Sequence, residues 1–348
     1  MQQEISMRLR SLTAAVCLGL ATFAQAQEKE INMCVFDLIG SSGDQYALIE
    51  DYALDMREKG IKFNLEPYTD EGVAMSSFSA GDCDALAATD IRIRRYNDFT
   101  GTLSAVGAIP SYKHLETVLS AINKPSASEY MKQGGYEVAG IFPLGAAYLF
   151  VTDRDMNTVE DLAGKRIATL NHHPDAVHMV NYVNASVEPS SITDFGGKFN
   201  NRSVDAAYAP GWAYESLELY RGIGDKGGVI DYPLGQLTMQ IVVRDGVLTD
   251  EEAQTSREVA FDHFNTALKS VKEYEKDIPD ETWIEIPDAD IADYQEMFRQ
   301  NRIELRDGVD GDGNEVPEVY NGEMLTLLRK VRCRINPEAS ECTASDRE

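Results

Sequence analysis

The sequence predicts an α/β fold of two lobes, in which two doubly wound sheets are joined by crossover strands. Residues 30–89 follow the order strand, helix, strand, helix, strand, which is typical of a parallel sheet with helices on both faces. A second α/β unit begins at Arg166, and an extended segment at residues 236–244 returns to the first unit. The chain has 348 residues, 43% hydrophobic and 26% charged, which suits two globular lobes.

The elements of the first lobe follow from the spacing of apolar residues. Residues 30–38 alternate and then become continuously apolar, as a buried strand does. Tyr46, Ile49, Ala53 and Met56 recur at helical spacing, and Gly60 ends that helix. The other predicted elements are strands at 61–68 and 85–89 and helices at 71–80, 112–123 and 126–133.

The second lobe follows a long extended passage over residues 137–153. Its predicted elements are a turn at 158–165, strands at 166–170 and 203–208, a helix at 174–183 and the returning strand at 236–244. After it, Thr249 and Glu252 form a capping-box pattern. They open a long C-terminal helix, because Ala260, Phe264 and Leu268 share one apolar face.

Two extended crossings between lobes indicate a hinge with a cleft beside it. The expected boundaries are a first lobe at residues 27–140 and 245–330, a second lobe at 141–244 and a tail at 331–348.

The N-terminus reads as an export signal. Arg8 and Arg10 precede an apolar stretch at residues 12–23 that is too short to span a bilayer. Small residues Ala24 and Ala26 follow it, so we expect cleavage after Ala26. The mature chain is then expected to be soluble in a bacterial periplasm, with no stable membrane insertion.

The charge of the chain excludes some partners. Its 58 acidic and 32 basic residues give a formal net charge of −26. Such a surface repels phosphate backbones and anionic lipid headgroups, so we expect no nucleic-acid partner.

Four cysteines remain after the expected cleavage, which allows three disulfide pairings in an oxidising compartment. Cys333 and Cys342 lie close together in the tail and are expected to pair. Cys34 and Cys83 fall on strands that are neighbours in a 2-1-3 sheet order, so they form the second expected pair. A catalytic thiol or zinc site is the alternative, and the chain has no Cys-x-x-Cys spacing to favour it.

Residues 158–167 resemble the segment Asp-Leu-x-Gly-x-Lys-Ile that opens the second lobe of periplasmic solute-binding proteins, with Leu162, Gly164 and Lys165 matching. Residues 204–210 look like the segment that lines the far wall of their cleft. The chain thus resembles the DctP-like receptors of TRAP transporters, and more narrowly the AdeT-type solute-binding family. The resemblance implies a type II-like periplasmic binding-protein fold, no enzymatic activity, no cofactor and an inner-membrane transporter as partner.

The resemblance also implies an arginine in the second lobe that clamps a substrate carboxylate. That position falls at Ile167 or Ala168 here, and the nearest arginine is Arg166, one step earlier. A shift of one residue along a strand turns the side chain to the other face. We nevertheless include Arg166 among the candidate ligand-binding residues.

In α/β lobes, ligands bind where loops follow the carboxyl ends of strands. This rule selects Asp37, Ser41 and Ser42 after the first strand, although a helix cap explains such residues equally well.

The same rule selects Thr89, Asp90 and Arg92 after the third strand, where an arginine can hold a carboxylate bidentately. Arg94 and Arg95 are interpreted as surface arginines that balance an acidic protein.

In the second lobe the rule selects Asn171 and His172, which precede the helix at 174–183. A metal site built from His172, His173, Asp175 and His178 is disfavoured, because their spacing matches no common zinc signature.

Two further pairs of residues are candidates for the cleft. Tyr208 and Trp212 flank a Pro-Gly pair and offer an aromatic wall, although packing between sheet and helix is the alternative for Tyr208. Gln236 and Thr238 alternate along the returning strand and could supply hydrogen bonds. The acidic segment 307–318 departs from the EF-hand pattern and is interpreted as a turn.

The sequence therefore favours a periplasmic receptor that captures a small polar solute, with an organic acid preferred, and delivers it to a membrane transporter. The alternative is an accessory or efflux-associated scaffold protein of the cell envelope with no transported ligand. A secreted hydrolase is disfavoured, because no nucleophile elbow, phosphate loop or zinc-protease signature is present.

Overall fold

The computed structural model describes residues 28–345, 347 and 348, so the expected signal peptide lies outside the described residues. The strands are β1 (Lys29–Phe36), β2 (Ile61–Tyr68), β3 (Ala85–Thr89), β4 (Lys132–Gln133), β5 (Tyr136–Val151), β6 (Arg166–Leu170), β7 (Ser186–Ser190), β8 (Ala206–Pro210), β9 (Gly228–Ile230), β10 (Gly235–Arg244) and β11 (Trp283–Ile284). The helices are α1 (Asp44–Glu58), α2 (Glu71–Ala80), α3 (Asp90–Ile93), α4 (Asp98–Gly101), α5 (Tyr112–Ile122), α6 (Pro174–Tyr182), α7 (Phe195–Asn200), α8 (Ala213–Ser216), α9 (Tyr220–Ile223), α10 (Asp250–Asp262), α11 (Phe264–Asp277), α12 (Asp288–Asp307) and α13 (Gly322–Ile335).

The two lobes share one hydrogen-bonded sheet with the order β2-β1-β3-β10-β5-β8-β6-β7. In the first lobe, β1 is parallel to both β2 and β3, which confirms the expected 2-1-3 order. In the second lobe, β6 is parallel to β7 and β8. The long strands β5 and β10 run antiparallel to each other and connect the lobes.

The hydrogen-bonded pairing of β5 with β10 is interrupted near the middle of the two strands. The register shifts between Leu237 and Thr238, opposite the segment from Pro143 to Gly145. Gly145 has φ +115°, a backbone conformation that residues with a Cβ rarely adopt. This bulge bends the strands at the point where they pass between the two lobes.

Each lobe has apolar side chains packed on both faces of the sheet. Along β1, Cys34 belongs to the core beneath α2, α5 and α13, while Val35 belongs to the core beneath α1 and α10. Along β5, Phe150 and Val151 likewise enter the two separate cores of the second lobe. Burial on both faces explains why the strands read as continuous apolar runs in the sequence.

Several predicted elements are confirmed and two are wrong. The strands at 61–68 and 85–89 and the helix at 71–80 have the expected bounds, and the strand expected at 203–208 lies at Ala206–Pro210. The helix expected at 126–133 is a 3₁₀ segment, Pro125–Met131, because Gly134 and Gly135 turn the chain so that β4 pairs with β5.

The long helix expected after the capping box is also divided. Thr249 and Glu252 form both hydrogen bonds of the box, as expected. The helix breaks at His263, whose Nε2 lies 2.8 Å from an Oδ2 of Asp55 on α1. The two halves, α10 and α11, both pack against β5.

Both expected disulfides, Cys34–Cys83 and Cys333–Cys342, are present. The first is buried beneath the first-lobe sheet, with Cys34 and Cys83 at most 1% exposed. Among the described residues, none of the helices combines the length and the apolar run that crossing a bilayer requires.

Candidate functional site

A cavity of about 190 Å³ lies between the two lobes. It is reached by the carboxyl ends of β3, β6 and β8 and is bounded on its other sides by α6 and α12. Most of its wall is apolar, with contributions from Leu144, Leu149, Met179 and Phe298. This is the place where a two-lobe α/β protein is expected to hold a ligand.

The first lobe contributes a small polar cluster to the cavity wall. The backbone N–H of Thr89, the last residue of β3, donates to Oε1 of Glu71 at 2.7 Å. The Nε of Arg92 lies 3.4 Å from Oε2 of the same carboxylate. Glu71 is 4% exposed, and this burial raises the pKa of its carboxyl. Thr89 and Glu71 line the cavity, whereas Arg92, whose side chain is 27% exposed, does not.

An ion pair between the lobes forms one end of the cavity. Oδ2 of Asp175, on α6, lies 3.1 Å from Nη2 of Arg94, which follows α3 in the first lobe. The hydroxyl of Tyr320 donates to the same oxygen at 3.0 Å, and Nε2 of His173 lies 3.0 Å from Oδ1. Burial alone would raise the pKa of Asp175, but the Arg94 guanidinium holds it well below its usual range. Asp175 therefore carries a negative charge that Arg94 neutralises.

The second lobe adds two histidines and a tyrosine. Nδ1 of His173 lies 2.9 Å from the hydroxyl oxygen of Tyr208, which also accepts the backbone N–H of Leu170 at 3.2 Å. Burial and the nearby charge of Arg92 lower the pKa of His172 to about 4, so its ring is neutral near pH 7. These contacts fix Tyr208 against the sheet, with its ring on the cavity wall.

Trp212 contributes its ring to the cavity wall after β8. Its Nε1 is buried and has no hydrogen-bond partner among the described residues, so this atom does not open onto the cavity. A buried N–H without an acceptor is costly, so the indole is a position of unmet hydrogen bonding next to the cavity.

Behind the cavity, a buried polar chain connects β3 to β10. Asp90 is 0% exposed and accepts hydrogen bonds from the backbone N–H and the hydroxyl of Thr238. Gln240 continues the chain by donating to the Thr238 hydroxyl and to the carbonyl of Thr100. Burial raises the pKa of Asp90 to about 7. These residues support the cavity wall from behind.

The structure brings four of the residues selected from the sequence to the cavity wall: Thr89, His172, Tyr208 and Trp212. Asp90, Gln236 and Thr238 are buried beside it, and Arg92 and the exposed Asn171 stand close to lining residues without lining it.

The other selected residues lie elsewhere. Asp37 accepts the backbone N–H groups of Ile39 and Tyr46 and so shapes the loop before α1, while Ser41 and Ser42 are exposed in that loop. Arg166 begins β6 and does not line the cavity, and its side chain is 53% exposed beside Asp205.

The sequence interpretation of Arg94 as a surface residue is wrong, because its side chain is only 11% exposed and pairs with Asp175. Glu71, Asp175 and Tyr320 are cavity residues that the strand-end rule did not select. Asp175 follows Pro174 in the first turn of a helix, a common position for an acidic residue, so the sequence alone did not distinguish it from a helix-stabilising one.

The acidic segment near the C-terminus is a turn, as expected. Asp310 accepts the backbone N–H groups of Asp312 and Asn314, and Gly313 has φ +86°. Within residues 28–345, 347 and 348, no group of three or more His, Cys, Asp or Glu side chains could hold a metal ion.

Comparison with known sequences gives consistent matches. The profile of the family described as "Solute-binding protein AdeT 1/2" matches residues 57–347. The chain is 35% identical over 312 residues to "Probable solute-binding protein AdeT1" of Acinetobacter baumannii, covering 90% of this chain and all of that protein. It is 21% identical over 246 residues to "Probable solute-binding protein AdeT2" of the same organism, covering 70% of this chain and 99% of the relative.

Solved structures share the fold at low identity. A TRAP periplasmic solute binding protein of Desulfovibrio salexigens with bound orotic acid has a TM-score of 0.70 at 12% identity, covering 88% of this chain and 99% of its own. One from Rhodoferax ferrireducens with bound malonate has a TM-score of 0.67 at 14% identity, with coverages of 87% and 99%. One from Shewanella oneidensis with bound succinate has a TM-score of 0.66 at 9% identity, with coverages of 87% and 98%.

Proposed function

This chain belongs to the solute-binding protein AdeT 1/2 family, and we propose that it captures its small solute in the cavity between the two lobes. Members of this class of receptor bind without catalysing a reaction, and their general role is to hand a solute to a transporter. The observation that best supports this proposal is that residues of both lobes line one cavity, beside the bulge in β5 and β10. Movement about that bulge would open and close the cavity around a ligand.

The residues that we propose as ligand contacts are those with polar atoms or flat rings on the wall. Thr89 and Glu71 supply the first-lobe side, and His172, Tyr208 and Trp212 supply the second. Orotate, malonate and succinate in the structural neighbours are small molecules, and they support a ligand of similar size here.

We also propose the setting of this function. The basic, apolar and small-residue pattern of residues 1–26 supports export with cleavage after Ala26. An inner-membrane transporter subunit is the proposed recipient of the solute. N-terminal sequencing of protein recovered from the periplasm tests the cleavage site, and an uncleaved chain would contradict it.

The test of the cavity uses a variant that obstructs it. Ala176 on α6 lines the cavity, so Ala176→Phe places a ring inside it, whereas Ala80→Phe at the exposed end of α2 is the matched control. Solutes retained by freshly purified protein are identified by mass spectrometry, and a library of small solutes is screened by thermal shift.

We expect the wild type and Ala80→Phe to retain and respond to the same solute and Ala176→Phe to lose it. Equal binding by Ala176→Phe would place the site elsewhere. No retained solute and no thermal shift across the library would favour the scaffold alternative.

A further inference from the structure

The charges around the cavity are unusual for a site that would hold an anion. Two carboxyl groups, those of Glu71 and Asp175, are on its wall, and no lysine or arginine of the described residues lines it. The two histidines on the wall supply no free positive charge either. His172 is neutral near pH 7, and His173 is engaged by Asp175 and Tyr208.

The nearest cations are already engaged by the protein. Arg94 lies 3.1 Å from Asp175 and also donates to the carbonyl of Gly101 and the hydroxyl of Ser104. Arg92 lies 3.4 Å from Glu71. Neither arginine lines the cavity, whereas the carboxylate paired with each one does. A solute carboxylate would therefore meet a negative group before it met a positive one.

An ion moved from water into an apolar cavity needs a counter-ion and hydrogen bonds to replace its hydration. The wall offers an anion no free counter-ion, and the paired carboxylates of Glu71 and Asp175 leave no unshared negative charge for a cation. A neutral solute has no such cost, and it gains from contact with the apolar wall.

The cavity volume defines the solute further. An engineered apolar cavity of about 150 Å³ binds benzene, so a cavity of about 190 Å³ suits a substituted single ring or a branched chain of similar size.

On the premise of the proposed function, we propose that the solute is an uncharged, mainly apolar molecule about the size of a substituted ring. This departs from the organic acid expected from the sequence, because Asp175 occupies the place beside Arg94 that a solute carboxylate would take.

The experiment compares matched probes that differ in charge. One set of probes has an aromatic ring: benzamide, benzoate and benzylamine. A second set has a branched chain: isobutyramide, isobutyrate and isobutylamine. Each probe is titrated into the wild-type protein near pH 7, and its binding is measured by calorimetry and thermal shift. We expect each amide to bind about tenfold or more tightly than its carboxylate and its amine. A carboxylate or amine that binds as tightly as the amide overturns the inference and leaves the proposed function standing.

If none of these probes binds, the solute that the protein retains during purification provides the test. A neutral retained solute supports the inference, and a charged one overturns it. No retained solute, together with no thermal shift across the solute library, overturns the proposed function and the inference with it.

The second arm changes the charge balance directly. Asp175→Ala removes the carboxylate that engages Arg94, and Asp262→Asn removes an exposed carboxylate outside the cavity as a matched control. We expect Asp175→Ala to gain about tenfold or more in affinity for benzoate and to lose the preference for benzamide. Asp262→Asn should bind benzamide more tightly than benzoate, as the wild type is expected to do.

If Asp175→Ala does not fold, Asp175→Asn, which keeps the side-chain shape, is used and should shift the preference in the same direction. A folded Asp175 variant with the wild-type order of affinities would show that Asp175 does not determine the charge selectivity.

Discussion

Oδ2 of Asp175 lies 3.1 Å from Nη2 of Arg94, so a helix of the second lobe is ion-paired to the segment after β3 in the first. Both side chains are largely buried, and Tyr320 donates a further hydrogen bond to the same oxygen. The pair therefore contributes to holding the lobes together as well as to the charge of the cavity.

Removing both members of this pair should destabilise the protein by less than the sum of the two single removals. We expect Arg94→Met or Asp175→Leu alone to lower the free energy of unfolding by about 3–5 kcal/mol, because each leaves a buried uncompensated charge. The double variant should lose less than the sum of the two, by about 0.5–3 kcal/mol. Urea unfolding of the four proteins measures the difference, and simple additivity would contradict the pairing.

The pH dependence of stability should reveal two opposing titrations. Burial raises the pKa of Asp90 to about 7, so its contribution to stability is fully present below the unfolded value of 3.8 and is lost as pH rises through 7. Burial, with the charge of Arg92, lowers the pKa of His172 to about 4 from 6.5, so its contribution is present above pH 6.5 and is lost as pH falls through 4. Between these limits the two effects oppose each other.

Removing either Asp90 or His172 should therefore reveal how the remaining group alone changes stability with pH. Asp90→Asn should make stability rise with pH between 4 and 6.5, and His172→Gln should make it fall between 4 and 7. For Asp90 the full change is at most about 4 kcal/mol. Urea midpoints across this pH range provide the measurement. An Asp90→Asn profile parallel to the wild type would refute the assignment to Asp90.

The two disulfides should differ in the stability that they add and in their resistance to reduction. Cys34–Cys83 joins residues 49 apart and Cys333–Cys342 joins residues 9 apart. The chain-entropy relation gives about 4 kcal/mol for the first and about 2.5 kcal/mol for the second. Because only the second pair is partly exposed, a mild reductant should free Cys333 and Cys342 first. Alkylation and mass spectrometry report the order, and simultaneous release would contradict it.

A substitution at the bulge should be costly where the same substitution in a helix is not. Gly145→Ala places a Cβ at φ +115° and 3.3 Å from Val271 on α11, so we expect a loss of about 1–3 kcal/mol. Gly197→Ala is the control, because nothing lies within 4 Å of its Cβ position and it is exposed within α7. The control should gain up to about 1 kcal/mol. Equal effects of the two substitutions would argue against strain at Gly145.

The first half of the fold was predictable because its signals are local. Apolar runs bounded by glycine and acidic residues gave β2, α2 and β3 their bounds. The helix α12 was not found, because buried Arg299 and Arg302 interrupt its apolar face. Arg302 is accommodated there by Glu348, far away in the sequence, and only the fold brings that carboxylate to it.

The candidate site shows the same limit. The rule that ligands meet the carboxyl ends of strands led to Thr89 and His172 on the cavity wall. The same rule excludes Arg166, because that arginine lies at the start of its strand and not at the carboxyl end. The role of Arg94 could not be read from sequence, because its partner Asp175 belongs to the other lobe. Charge pairing across a cleft is a property of the tertiary structure alone.

The position of β10 determines when the first lobe can be completed. Its strand β3 pairs with β1 on one side and with β10 on the other, and Thr89 faces Met239, about 150 residues further along the chain. The middle of this sheet therefore cannot form until the whole second lobe has been synthesised. Pairing between such distant segments makes folding slow. A nascent chain of this protein remains without a finished first lobe for most of its synthesis, and a fragment that stops before Gly235 has no strand with which to close it.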